Sequence, residues 1–123
     1  MVLLDSCFLI DLFAADDAAI AKLDEFDWRD ASLSTLTVTE VGRWLPEPRR
    51  DRFESIIGRV DVLPYGFEES RRAVTEHGRL QQRGQPIGAV DTMIAATAIE
   101  ANKPVLTRNV SEFKRTQASV TPY

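Results

Sequence analysis

The chain has 123 residues, 44% apolar and 28% charged, a balance that excludes a disordered segment and predicts one globular domain over residues 1–123. Fifteen basic against nineteen acidic side chains leave a net charge of −4, which argues against a general nucleic-acid coat but leaves room for a basic strip beside an acidic cleft. A lone cysteine, Cys7, and a lone histidine, His77, exclude an intrachain disulfide and a Cys/His zinc site; with no signal-like start and no apolar run of membrane length, the expected location is cytoplasmic, with no membrane partner.

In chain order, Val2–Asp5 reads as a short buried strand, and Ser6–Ala15 follows with Leu9, Ile10, Leu12 and Phe13 at helical spacing. Asp17 suits the cap of a second helix that turns Ile20, Leu23 and Phe26 inward. Ala31–Leu36 is a second strand, and Thr37 opens a helix through about Leu45, stopped by Pro46 and Pro48. Glu47–Gly58 is a helix with Arg49, Arg50 and Arg52 on its outer side, and Val60–Leu63 is a third strand. Phe67–Arg83 is a long helix with Ala73, Val74 and Leu80 facing in, broken by Gly84-Gln85-Pro86. The stretch from Ile87 is apolar nearly all round, which marks a buried helix, and it runs to about Asn102. Pro104–Leu106 is a fourth strand, Asn109–Lys114 a short helix and Ser119–Thr121 a small fifth strand. Strands alternating with helices give the α/β class, a short parallel sheet covered on both faces.

Three acids stand alone in apolar surroundings. Asp5 ends Val2-Leu3-Leu4, Glu40 is the only charge between Asp30 and Arg43, and Asp91 is the only charge from Ile87 to Ile99. Each has an ordinary reading: Asp5 as an N-cap, Glu40 closing a capping box with Thr37, Asp91 in a first turn where the helix dipole favours it. Asn109-Val-Ser-Glu112 is another capping-box pattern. Yet Asp5, Glu40, Asp91 and Asn109 all fall on the edge formed by the carboxyl ends of the strands, where parallel sheets bind ligands. Acids gathered without bases raise one another's pKa, and a hard divalent cation with oxygen ligands is the usual resolution. No Walker A sequence and no Ser–His–Asp set offers a competing chemistry.

With those residues in view, the chain resembles the PIN-domain ribonucleases, and within them the VapC-type toxins of toxin–antitoxin pairs. The resemblance lies in V-L-L-D-S-C-F-L-I-D-L at the start, T-V-T-E-V, I-G-A-V-D-T-M-I-A-A-T-A and V-L-T-R-N-V-S-E-F, in that order along nearly the whole chain. It implies a three-layer α/β/α sandwich. It also implies Asp5, Glu40 and Asp91 as ligands of Mg²⁺ or Mn²⁺, with Ser6 as a hydroxyl beside the metal. Where many members carry Asp, this chain has Asn109, and Glu112 stands where others have a second acid. Three acids suffice for one divalent ion, with Asn109 lining the site together with Thr107. The implied activity is metal-dependent hydrolysis of RNA, and the implied partners are an RNA substrate and a cognate antitoxin protein.

Arg43, Arg49, Arg50, Arg52 and Arg108 are candidates to steer phosphate, Arg108 foremost because it adjoins the fourth motif. Phe8, Leu12, Phe13, Trp28 and Trp44, on surface-prone helices, together with the resemblance predict a homodimer. Two other readings compete. A receiver-like phosphoacceptor domain needs an Asp ending a middle strand and a Lys after a late one, and this chain has neither. A catalytically inactive PIN-like module that only binds RNA or protein is the alternative that Asn109 keeps open.

Overall fold

The computed structural model describes residues 1–123. Five strands, β1 (Val2–Leu4), β2 (Ala31–Ser34), β3 (Asp61–Leu63), β4 (Val105–Thr107) and β5 (Val120–Pro122), form one sheet in the order β3-β2-β1-β4-β5, every pair parallel. Seven helices connect them: α1 (Ser6–Phe13), α2 (Asp17–Leu23), α3 (Thr35–Gly42), α4 (Arg49–Ile57), α5 (Phe67–Gln82), α6 (Ala89–Ala101) and α7 (Val110–Phe113). The chain builds outward from β1 through β2 to β3, then crosses back to lay β4 on the other side of β1. That reversal makes the carboxyl end of β1 a topological switch point.

Strand alternation splits the core into two layers. Leu4 and Leu106 join Phe8, Leu9, Leu12, Phe13, Leu33, Val41 and Phe53 on one face, whereas Leu3 and Val105 join Ile94, Ala95, Ala98 and Phe113 on the other. The three-layer α/β/α sandwich expected from the sequence is therefore present. The buried helix α6 ends with Asn102 in the left-handed region (φ 54°), where the Lys103 amide reaches the Ala98 carbonyl at 3.0 Å and closes a Schellman turn.

Several expectations fail locally. Strand β2 stops at Ser34, not Leu36, because the Ser34 hydroxyl accepts from the Leu36 amide at 3.1 Å and caps α3. Thr37 consequently lies inside the helix with its hydroxyl buried and unpartnered, and it forms no capping box with Glu40. Asp16 rather than Asp17 caps α2, accepting from the Ala19 amide at 3.0 Å. Ile10 and Ile20 face solvent, and the inner face of α5 is Ala73, Glu76 and Leu80, with Val74 left 74% exposed. Phe8, Leu12 and Phe13 sit in the core, so they offer no surface for pairing.

Glu76 is fully buried, although nothing in its sequence surroundings marks it. It accepts from Arg79 Nη2 (3.2 Å), Arg79 Nε (3.3 Å) and the Gln117 amide (2.8 Å), while Arg79 donates to the Arg115 carbonyl at 2.9 Å. This pair, with Glu76 buried and Arg79 partly exposed, fastens α5 to the segment between α7 and β5.

Candidate active site

Asp5 follows β1 at the centre of the sheet and is 3% exposed. Its two oxygens divide the two roles read from sequence. Oδ1 accepts from the Ser6 amide at 2.9 Å, the cap of α1, and Oδ2 accepts from the Thr107 hydroxyl at 2.8 Å and the Cys7 thiol at 3.2 Å. Thr107, buried at the end of β4, also accepts from the Asn109 amide at 2.9 Å. One hydroxyl thus ties the first acid to the turn that carries Asn109.

Asp91 enters from the first turn of α6. Burial pushes its carboxyl up to about 7, helped by the charge of Asp5, by Glu112 and by Glu40. Glu40, on α3, is raised by burial and then by Asp5, while the Ser6 hydroxyl pulls it down. Asn109 does not cap α7: its Nδ2 donates to Glu112 Oε2 at 3.0 Å and lies 3.4 Å from Asp91 Oδ2. The expected Asn109–Glu112 capping box is replaced by this amide bridge between two acids.

Asp5, Ser6, Cys7, Asp11, Asp91, Arg108 and Asn109 line a cleft of about 360 Å³. Glu40 faces a neighbouring groove of about 500 Å³ with Thr35, Leu36, Thr39, Arg43, Tyr65 and Val90. A larger cavity, about 600 Å³, is bordered by Phe26, Trp28, Arg29 and Arg59. Its one acid, Asp27, is already paired with Arg29, so its size does not make it the chemical centre. Arg49, Arg50 and Arg52 lie outside the cleft lining; Arg52 stacks on Phe13 with its guanidinium 5.6 Å from the ring centre.

Cys7 is half-buried and faces this edge of the sheet. Its Sγ contacts Asp5 and Thr107 and accepts from the Arg108 amide at 3.4 Å, and burial, then Asp5, raises its pKa. Asp11, Asp16 and Tyr123 also belong to this edge, though nothing in their sequence surroundings marks them.

The donor set of the site bears on a divalent cation. No three acids stand close enough to clasp an ion as a complete cage. Magnesium rarely needs one, since it keeps several waters and takes one or two carboxylates directly. A buried Asp5 whose charge raises both Glu40 and Asp91, with no base reaching Asp91, fits such an ion.

The PIN domain family model matches residues 2–118. The chain belongs to the PIN-domain family. A curated relative, the tRNA(fMet)-specific endonuclease VapC of Shigella flexneri, is 31% identical over 71 residues, covering 58% of this chain and 54% of that protein. The chain thus spans about half the length of that relative. Ribonuclease VapC1 of Methanocaldococcus jannaschii is 29% identical over 115 residues, 93% of this chain and 79% of that protein. Among solved structures, FitAB bound to the IR36 DNA fragment contains a chain that superposes with a TM-score of 0.86 at 25% identity, covering 99% of this PIN domain and 94% of that chain.

Proposed function

We propose that this PIN domain, acting as a single unit over residues 1–123, is an endoribonuclease that hydrolyses the RNA backbone with a divalent cation, Mg²⁺ or Mn²⁺. The observation that carries the reading is one cleft at the carboxyl ends of the strands that gathers Asp5, Asp91 and Asn109, with Glu112 on the same amide and the charges of Asp5, Glu112 and Glu40 raising the Asp91 carboxyl. An acid kept in such company is poised for a cation rather than for a salt bridge. Asp5, Glu40 and Asp91 would hold the ion. When bound, it lowers the pKa of a water and screens the phosphate charge. Ser6 and Thr107 hold the carboxylates in place, Asn109 bridges Asp91 to Glu112, and Arg108 stands at the cleft mouth for the RNA phosphate.

The names of the relatives, an endonuclease and a ribonuclease VapC, support RNA cleavage, and the resemblance to VapC-type toxins carries the further reading of a cytoplasmic toxin with a cognate antitoxin. A basic side chain from such a partner would pair with the cleft carboxylates. No helix is long and apolar enough to cross a membrane. A homodimer now rests on the exposed residues Trp44 (75%), Val74 and Phe67, because Phe8, Leu12 and Phe13 are core. Light scattering at micromolar concentration checks it, and a monomer overturns it.

The second reading, a PIN-like module without catalysis, is favoured by the neutral Asn109 at the end of β4 and by the lack of a complete carboxylate cage. RNA cleavage with and without Mn²⁺ separates the two. Wild type should cut only with the metal, and Asp5→Asn, Glu40→Gln or Asp91→Asn should each lose about 100-fold or more. Equal cleavage by all four overturns the nuclease assignment. Growth arrest on expression, relieved by co-expressed antitoxin, tests the toxin role.

A further inference from the structure

Arg108 is the one cation lining the acidic cleft, yet it does not pair with Asp5 or Asp91. Its Nη2 donates to Asp16 Oδ2 at 2.7 Å and its Nη1 lies 3.4 Å from Asp11 Oδ2. The guanidinium stacks on Tyr123 at 5.2 Å from the ring centre, and the Tyr123 hydroxyl donates to Asp11 Oδ2 at 2.7 Å. Tyr123 is itself wedged edge-on against the buried Phe8, ring centres 5.2 Å apart. Asp16 is equally fixed: the Ala19 amide donates to the same oxygen, and that bond, ahead of Arg108, lowers its pKa.

The turn that presents Asp16 is strained. Ala15 has φ 59°, a left-handed conformation that glycine usually supplies and that costs an alanine about 1 kcal/mol. The Asp16 amide bonds to the Asp11 carbonyl at 2.9 Å, so both carboxylates hang from one tight turn. Two carboxylates from one turn and the ring of Tyr123 thus converge on one half-exposed guanidinium (48%). Without them, a flexible arginine beside unpaired carboxylates would fall onto Asp5 and Asp91 and quench the cation site.

We propose that Asp11, Asp16 and Tyr123 form a holder that keeps Arg108 off the cleft carboxylates and aims its free N–H edge at an RNA phosphate next to the one being cut. The proposal rests on the nuclease reading and adds positioning residues to it. It makes a prediction opposite in sign to simple charge counting. Deleting an acid beside an RNA-binding cleft should strengthen binding by removing repulsion. Deleting Asp16 should instead weaken it, because Arg108 is released.

The test uses fluorescence anisotropy of a labelled single-stranded RNA of mixed sequence, on an Asp91→Asn background that leaves the RNA intact. Arg108→Gln should weaken binding about tenfold and reduce the salt slope by about 0.7. Asp16→Asn should weaken it several-fold, and adding Arg108→Gln should bring it only to the level of Arg108→Gln alone. Asp16→Ser, which keeps a helix cap without the charge, should behave like Asp16→Asn and separates the holder role from the cap role. In the parent chain with Mn²⁺, the Asp16 variants should raise KM more than they lower kcat. Unchanged or tighter RNA binding by both Asp16 variants, with wild type still cutting RNA, overturns this proposal alone. A wild-type chain that neither binds nor cuts RNA overturns the nuclease reading and the holder with it.

Discussion

Asn109 faces Asp91 with its amide nitrogen, Nδ2 to Oδ2 at 3.4 Å, and not with the oxygen that a metal would take. The same nitrogen serves Glu112. Asn109→Asp removes that donor and adds a third charge to the group. Without a divalent cation the variant should melt lower than wild type; with Mn²⁺ it should bind more tightly, because a hard cation favours charged oxygen. Glu112→Gln should weaken Mn²⁺ binding less than Asp91→Asn does. Calorimetric titration of the variants checks both, and an equal loss for Glu112→Gln would make Glu112 a direct ligand.

The Asp91 carboxyl links folding to pH. Its pKa rises on folding from the ordinary carboxylate range to about 7. Between those two values the folded state holds the extra proton, so stability falls as pH rises through the window and levels off above about 7. In chelator at pH 8, Asp91→Asn should therefore be more stable than wild type by about 1–2 kcal/mol, after allowing for solvent screening at a half-buried group. The gap should close toward pH 5. Saturating Mg²⁺ should reverse it, because only wild type gains from binding. Urea melts at both pH values decide the matter.

Thr107 bonds to both Asp5 and the Asn109 amide. Thr107→Val preserves shape but leaves the Asn109 amide unpaired and Asp5 with one donor fewer. The expected loss is about 1–3 kcal/mol of stability and about 10–100-fold in metal affinity. Thr107→Ser should restore most of both. Metal affinity unchanged in Thr107→Val would show that Asp5 needs no such support.

Glu76 is remote from the chemistry in role but costly to disturb. Glu76→Ala leaves the Gln117 amide unpaired and Arg79 without its carboxylate, and should lower unfolding free energy by about 1–3 kcal/mol in denaturant melts. RNA cleavage per folded molecule should stay near wild type.

The sheet and the acids were readable for different reasons. Short apolar runs alternating with helical spacing give the parallel α/β layout, and a single charge inside an apolar run, as at Asp5 and Asp91, stands out. The Ser34 cap was hidden because Thr37-Val-Thr-Glu40 offers an equally good cap three residues on, and only packing of β2 beside β3 decides between them. Asp11, Asp16 and Tyr123 look like ordinary polar or terminal residues; their meaning comes from Arg108, 92 residues beyond Asp16. Glu76 looked like one more charge on a polar helix, since its partner amide belongs to Gln117.

The central position of β1 bears on how the chain is made. Its partners β2 and β4 flank it, and Asp5 is completed by Thr107, 102 residues later. A growing polypeptide on the ribosome carries the first acid long before the strand that seats it. Such long-range pairing is slow and closes late in folding. Any fragment that stops short of β4 lacks both Thr107 and Asn109, so the acidic edge assembles only after β4 and the turn behind it have been made. For the endoribonuclease proposed above, whose RNA substrate would surround it during its own translation, this delay would give the proposed antitoxin time to meet the folding chain before it could act.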